Sequence, residues 1–213
     1  MNKSIFSVVG VVAVMCVGYA FGQSPAVTTF TDSRDNKVYK MVKIDKQTWM
    51  AENLNYAAEG SMCYGNSAKN CAKYGRLYNW PTAMNGASSS LSSPSGVQGV
   101  CPAGWHLPSH EEWTTLERTV GSSVTAGTKL KSAVGWNNNG NGTNNYGFSA
   151  LPGGRGANGS FYDAGDIGLW WSATEDFDVA DSAWIRGLPD NSKYVYKNKY
   201  GKTSLFSVRC VQD

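Results

Sequence analysis

The stretch "CPAGWHLPSHEEW" (residues 101–113) decides how this sequence is interpreted, because it brings together both histidines, two adjacent glutamates and two tryptophans. His106 and His110 are four residues apart, a spacing that places two metal ligands on one face of a helix. Pro108 stands between them, however, and proline disfavours helical backbone at the residue before it. We therefore expect the two histidines to flank the start of a helix and not to share one of its faces.

A helix is predicted immediately after Ser109. Ser109 and Glu112 have the spacing of a capping box, in which the hydroxyl accepts from one backbone amide and the carboxylate accepts from another. Trp113 and the apolar residues after it recur at helical spacing and should face the core. A third zinc ligand is missing from this pattern. The sequence therefore predicts that His106 is a buried, hydrogen-bonded side chain and that the stretch specifies a fold.

The N-terminal residues have the pattern of an export signal. A positively charged start precedes an apolar run, and Ala20 and Gly22 supply the small residues that precede a cleavage point. We predict a signal peptide at residues 1–22, a polar, flexible leader at 23–35, and a single domain at 36–213. An uncleaved membrane anchor is the alternative, and it is the only membrane contact that we expect.

Charge gives no argument for a nucleic-acid partner. The formal net charge is +3, too small to indicate binding to nucleic acid or to an anionic membrane. The stretch "KYVYKNKYGK" (residues 193–202) mixes lysine with tyrosine. In an exported protein this mixture favours an edge hairpin protected by its lysines.

The cysteines predict disulfide bonds. Four remain after the signal segment is removed, and an even number in an exported chain favours disulfides. Three pairings are possible. We favour Cys63–Cys71, which closes a local loop, and Cys101–Cys210, which ties the middle of the domain to its end. A metal site at these cysteines would need CxxC-type spacing or a nearby histidine pair, and the sequence offers neither.

The rest of the chain indicates a loop-rich α+β domain. The run "KVYKMVKIDKQTWMAENL" (residues 37–54) predicts a hairpin around Asp45 and Lys46. Residues 53–79, rich in Tyr, Gly and Asn, are expected to be mostly loop. A short second helix is predicted at about 126–134, followed by short antiparallel strands towards the C-terminus.

An asparagine-rich loop is the predicted ligand site. Residues 137–145 (NNNGNGTNN) carry amides that can hydrogen-bond sugar hydroxyls, and we select Asn138 and Asn141 among them. Trp136 and Tyr162 could supply a stacking face for a sugar ring. The alternative is that the tryptophans belong to the core and the asparagines form only a loop.

Metal and catalytic sites have weaker support. Asp176, Asp178 and Asp181 could supply hard oxygens to calcium, although the Asp-x-Asp-x-Asp-Gly loop pattern is missing and a solvated acidic loop is the alternative. The chain contains no GxSxG nucleophile motif, and no spacing selects a Ser-His-Asp set. We therefore predict no catalytic residue and no cofactor.

Several motifs in order resemble a known family. They are "QTWMAENLNY", "CAKYGRLYNW", "CPAGWHLPSHEEW", "GFSALPGG", "WWSAT" and "SVRCVQD". Over about residues 30–213 the chain resembles the Fibrobacter succinogenes major paralogous domain, a family of exported bacterial proteins. It also resembles, more distantly, the C-type-lectin-like fold and, within it, the formylglycine-generating sulfatase-modifying domain.

The distant resemblance implies a C-type-lectin-like fold with two helices, a long looped region and chain ends that lie together, which the Cys101–Cys210 pairing fits. Neither oxidase activity nor calcium-dependent sugar binding can be transferred. The free cysteine pair of the formylglycine-generating enzymes is missing, as are the Glu-Pro-Asn and Trp-Asn-Asp calcium motifs of sugar-binding lectins.

We therefore expect a disulfide-stapled, secreted or cell-surface protein with a non-enzymatic binding or structural role. Its candidate partners are polysaccharide or cell-envelope components. The alternatives are an enzyme of the formylglycine-generating type and an envelope protein that associates with itself.

Overall fold

The computed structural model describes residues 25–213. The predicted signal peptide and its cleavage after Gly22 lie outside the described residues. Within them, no helix combines the length and the apolar character needed to cross a membrane.

Strands and short helices alternate along the chain. The strands are β1 (Val27–Asp32), β2 (Lys37–Ile44), β3 (Gln47–Met50), β4 (Leu77–Tyr78), β5 (Trp105–His106), β6 (Arg155–Ala157), β7 (Ser160–Tyr162), β8 (Ile167–Glu175), β9 (Ser182–Pro189), β10 (Tyr196–Gly201), β11 (Phe206–Ser207) and β12 (Val211–Gln212). The helices are α1 (Ala68–Tyr74), α2 (Trp80–Met84), α3 (His110–Thr119) and α4 (Ala126–Leu130), and a 3-10 turn covers Tyr64–Asn66.

Two five-stranded sheets organise the domain. The first has the order β1-β2-β3-β12-β5 and the second the order β10-β9-β8-β11-β4, while β6 and β7 form a separate hairpin. Within the second sheet β11 pairs with β8 in parallel, and the other pairs are antiparallel. The α+β class is confirmed, and β10 is an edge strand, as the lysine-rich stretch predicted.

The predicted hairpin around Asp45 and Lys46 is confirmed. β2 pairs with β3 from Met41↔Met50 to Ile44↔Gln47. Asp45 has a positive φ of 54°, a conformation that aspartate tolerates better than most residues. The turn is therefore encoded locally.

The predicted flexible leader is wrong for residues 27–32, which form β1. This strand pairs with β2 along its whole length, and the ring of Phe30 stacks on that of Trp105 with centroids 4.2 Å apart. Because β1 is an edge strand and mostly exposed, it lacks the apolar alternation from which a strand is predicted.

Two helices were predicted, and four are present among the described residues. α3 begins after Ser109 with both halves of the capping box formed, as predicted. The second predicted helix is present as α4 but ends at Leu130. α1 and α2, of seven and five residues, fall in or beside the segment expected to be mostly loop. They are too short to show helical periodicity.

Both predicted disulfides, Cys63–Cys71 and Cys101–Cys210, are present. The second lies in the larger of two hydrophobic core clusters, where both cysteines are fully buried. The other cluster packs α3 and α4 against the sheets through Trp49, Trp113 and Trp170.

Candidate functional site

His106 is buried between two carboxylates. Its Nε2 lies 2.7 Å from Glu112 Oε1, and its Nδ1 lies 2.6 Å from Asp213 Oδ1. The second oxygen of Glu112 accepts from the backbone amides of Ser95 and Ser109, each at 3.0 Å. The prediction of a buried, hydrogen-bonded His106 is therefore confirmed, and the residue links β5 to α3 and to the end of the chain.

The surroundings of His106 favour its charged form. Burial lowers the pKa of its imidazole, but the hydrogen bonds and charges of Glu112 and Asp213 outweigh burial, so that the net pKa is raised. Both ring nitrogens are occupied by these partners. His106 therefore forms a hydrogen-bonded link between two carboxylates that come from α3 and from the end of the chain.

His110 sits in the opposite electrostatic environment. Burial, together with the positive charges of Arg186 and Lys197, lowers its pKa to about 4. Arg186 Nη1 lies 3.2 Å from His110 Nδ1, so this nitrogen accepts the hydrogen bond. The buried guanidinium also pairs with Glu117 at 2.6 Å. The two histidines thus have separate partners, as the intervening proline predicted.

Trp136, predicted as a stacking platform, is buried with 5% of its surface exposed. Its indole nitrogen donates to Ser132 Oγ at 3.2 Å and to the carbonyl of Ala150 at 3.1 Å. Its backbone amide donates to Asn141 Oδ1 at 3.1 Å. The prediction of an exposed ring at Trp136 is therefore wrong, because the ring fills the core beneath the asparagine-rich loop.

The asparagine-rich loop borders a cavity of about 290 Å³ that includes Asn138 and Asn141. Asn138 Nδ2 donates to Asp190 Oδ2 at 2.7 Å, which leaves its amide oxygen for a ligand. Tyr162, 42% exposed on β7, is not among the residues that line this cavity; Arg155 lies 5.0 Å from the centre of its ring. Neither the buried Trp136 ring nor Tyr162 therefore lines the cavity that Asn138 and Asn141 border.

An internal cation lies beside this cavity. The ammonium of buried Lys131 donates to three backbone carbonyls in the segment 189–192, at 2.9 to 3.1 Å. It also lies 5.0 Å from the centre of the Trp136 ring. The side chain thereby joins α4 and the asparagine-rich loop to the end of β9.

The acidic loop after β8 is neutralised by lysine. Lys199 Nζ donates to Asp176 Oδ1 at 2.7 Å and to Asp178 Oδ2 at 3.3 Å. The backbone carbonyl of Asp181 accepts from the amide of Lys202 at 2.7 Å. Across residues 25–213 no group of three or more metal-ligand side chains comes together. The calcium candidates therefore do not form a shared site.

A larger groove lies elsewhere, and we call it the Tyr56 groove. Its volume is about 690 Å³. Its lining combines the β1–β2 connection, the chain after β3, the region of α2, and the chain that precedes β5. The residues are Arg34, Tyr56, Ala58, Glu59, Pro81, Thr82, Asn85, Gly86, Gln98, Gly99 and Val100.

One wall of the groove is rigidly held. The guanidinium of Arg34 lies 3.9 Å from the centre of the Tyr56 ring. It also pairs with Asp32 at 2.7 Å and donates to the carbonyl of Val100 at 2.9 Å. Because Arg34 is neutralised by Asp32, the remaining charge of the lining is the carboxylate of Glu59.

Several polar groups of the groove have no intramolecular partner among the described residues. The Glu59 carboxylate and the Asn85 amide make no side-chain hydrogen bond there, and Gln98 uses only its Nε2, which donates to a backbone carbonyl at 3.3 Å. Gln98 also lines a cavity of about 300 Å³ beside His106 and Asp213. The sequence analysis missed this groove because four separate segments build it.

The comparisons with known proteins support one assignment. No curated protein and no solved structure matches the chain. The model of the family described as the Fibrobacter succinogenes major domain matches residues 42–212, which is most of the chain and includes both histidines and all four disulfide cysteines. The chain therefore belongs to the Fibrobacter succinogenes major domain family.

Proposed function

We propose that this chain is an exported, non-enzymatic binding domain that holds a carbohydrate in the Tyr56 groove. The observation that carries the proposal is the groove itself, with its open volume and its polar groups that lack intramolecular partners. The two disulfides support an oxidising, extracytoplasmic location.

The chemistry of the lining matches sugar hydroxyls. Glu59 offers carboxylate acceptors, Asn85 offers both a donor and an acceptor, and Gln98 keeps an amide oxygen. Ligand pockets of about 300 to 1,000 Å³ accommodate molecules of several rings. Because Arg34 and Tyr56 are already fixed, little conformational entropy is lost when a ligand orders this wall.

We also propose that the fold is C-type-lectin-like. β12, near the end of the chain, lies between β3 and β5 in the first sheet. The Cys101–Cys210 disulfide joins the same regions covalently. Both features bring distant parts of the chain together, as the resemblance implies.

Retention on insoluble polysaccharides, followed by a glycan array, tests the ligand class. Asn85→Gly removes the amide and keeps the left-handed backbone at φ 48°, which glycine adopts readily. The double variant Asn85→Gly/Glu59→Gln should bind the ligand about tenfold more weakly. A tenfold loss corresponds to one or two hydrogen bonds of typical strength. Binding in 1 M salt should equal binding in dilute buffer, because the sugar is neutral.

Asn66→Gly is the matched control, since Asn66 is exposed and has a φ of 55° but lies outside the groove. Asn139→Gly, at φ 58°, tests the cavity beside the asparagine-rich loop. Loss of binding in Asn139→Gly with full binding in Asn85→Gly would move the site to that loop. A wild-type protein that retains no polysaccharide or arrayed glycan would contradict the proposal as a whole.

A further inference from the structure

The two disulfides have different surroundings. Cys101 and Cys210 are fully buried in the core. Cys63, in contrast, is half-buried at the surface, and its partner Cys71 belongs to the short helix α1. A thiol in solution can therefore approach Cys63, whereas core side chains cover the other pair.

Arg76 places a cation beside both sulfurs of the Cys63–Cys71 disulfide. Its Nη1 lies 3.6 Å from Cys63 Sγ and 3.7 Å from Cys71 Sγ. Ser61 holds the guanidinium in place, because Arg76 Nε donates to its hydroxyl and Nη2 to its carbonyl, each at 2.8 Å. The position of the cation is thus set independently of the sulfurs.

The charges of the surrounding segment have one sign. Residues 60–76 contain Lys69, Lys73 and Arg76 and no aspartate or glutamate. Positive charge close to a cysteine lowers the pKa of its thiol and stabilises the thiolate. The segment therefore favours both an incoming thiolate and a thiolate that is formed when the disulfide opens.

We propose that Cys63–Cys71 is a site of thiol–disulfide exchange with small-molecule thiols. The incoming thiolate attacks Cys63 Sγ and forms a new sulfur–sulfur bond there. The Cys63–Cys71 bond breaks, and its electron pair leaves on Cys71 Sγ as a thiolate beside Arg76. The thiolate then takes a proton from water, so that one disulfide and one thiol are consumed and one of each is formed, without net oxidation.

This chemistry makes Cys63 a reversible modification site. The mixed disulfide forms on the accessible cysteine, and the Cys71 thiol stays close enough to displace the added group and restore the original bond. Cys101–Cys210 takes no part, since its sulfurs are buried.

The first experiment maps the modified cysteine. The folded protein is treated with a small thiol such as 2-mercaptoethanol, trapped with an alkylating reagent and analysed by mass spectrometry. The expected products carry the thiol adduct on Cys63 and the alkyl group on Cys71, with Cys101–Cys210 intact. An adduct mainly on Cys71, simultaneous opening of both disulfides, or a disulfide that stays closed until the protein unfolds would each overturn the proposal.

The second experiment tests the charge without mutation. Exchange rates are compared for an anionic thiol, 3-mercaptopropionate, and a cationic thiol, cysteamine, after correction for the fraction of thiolate and for intrinsic nucleophilicity. The anionic thiol should react faster with the wild-type protein, and added salt should narrow the difference. Equal corrected rates at low salt would show that the cation does not act on the reaction.

Variants of Arg76 complete the test. Arg76→Lys keeps the charge and Arg76→Gln removes it. A cation beside the leaving sulfur stabilises the thiolate that forms, and exchange is faster when the leaving thiol has a lower pKa, so removal of the charge should slow exchange about three- to tenfold. We expect a loss of that size in Arg76→Gln and a smaller one in Arg76→Lys. An unchanged or faster rate in Arg76→Gln would contradict the assigned role of Arg76.

Discussion

The amide of Asn53 joins distant parts of the fold, and its removal should strongly destabilise the protein. Its Oδ1 accepts from Trp170 Nε1 at 2.8 Å and from Arg209 Nε and Nη2 at 3.1 and 2.8 Å. Its Nδ2 donates to the carbonyl of Tyr74 at 2.8 Å and to Ser207 Oγ at 3.3 Å. One buried side chain therefore satisfies groups from α1, β8, β11 and the chain that precedes β12.

The cost of losing this amide follows from the groups that it leaves unpaired. Asn53→Ala removes the acceptor of the Trp170 indole N–H and of two N–H groups on the Arg209 guanidinium, which within residues 25–213 has no carboxylate hydrogen-bonded to it. Burial lowers the pKa of Arg209 to about 9, so the group is still charged at neutral pH. Each unsatisfied buried donor costs about 1–3 kcal/mol, and charged ones cost more. Water that enters the vacated space will satisfy some of these donors, so we expect the free energy of unfolding to fall by about 4–6 kcal/mol.

Urea unfolding followed by tryptophan fluorescence measures this loss. With a denaturant slope of about 2–3 kcal/mol per molar, the midpoint should fall by about 2 M. Asn55→Ala is the matched control, because the Asn55 side chain makes no hydrogen bond within the described residues, and it should change stability by less than about 0.5 kcal/mol. Asn53→Asp keeps the acceptor and loses both donors, so it should cost less than Asn53→Ala. An Asn53→Ala variant within about 1 kcal/mol of the Asn55→Ala control would refute the reasoning.

Four further predictions concern buried or half-buried groups. Replacing both Cys101 and Cys210 by alanine removes a cross-link between residues 109 apart in sequence. The free energy of unfolding, measured in urea, should fall by about 4–5 kcal/mol. A fall of less than about 2 kcal/mol would contradict this loop-entropy estimate. Folding raises the pKa of His106, so its stabilisation is complete below the unfolded value of about 6.5 and is lost as the pH rises through the folded value. Unfolding of the wild type should therefore become easier above that pH, and an equally steep fall in His106→Gln would exclude this origin. Folding instead lowers the pKa of His110 to about 4, so stability should be lost as the pH falls from about 6.5 towards it, and His110→Gln should lessen that acid-side loss in the same titration. Lys131→Met leaves three backbone carbonyls without their donor and should lower the thermal midpoint, by an amount equivalent to about 2–3 kcal/mol; an unchanged midpoint would show that water replaces the ammonium.

Features encoded by neighbouring residues were predicted correctly. The capping box at Ser109 and Glu112 involves atoms only three residues apart, and the β2–β3 turn depends on the conformation of Asp45. The even number of cysteines, the predicted export of the chain and the short loop between Cys63 and Cys71 were enough to favour the two disulfide pairings that the structure contains. In each case the stabilising interaction can be recognised without the rest of the fold.

Features that depend on distant contacts were not predicted. β1 has little apolar alternation, because an edge strand is held by backbone hydrogen bonds and by one ring stacked on Trp105. The second partner of His106 is Asp213, which is 107 residues away. Trp136 was expected beside a ligand, but the same indole is equally suited to a core position, and only packing distinguishes the two.

The sequence by itself therefore determined the family, the α+β class and the start of α3, since these follow from short-range spacing or from ordered motifs, and it favoured the disulfide pairs among three possible pairings. The tertiary structure alone decided which polar side chains have hydrogen-bond partners within the fold and which remain free to bind a ligand. Glu59, Asn85 and Gln98 do not stand out in the sequence, and they line one groove only because four separate segments meet there. Whether a polar side chain can bind a ligand depends on which partners the fold has already given it, and those partners are set by long-range packing.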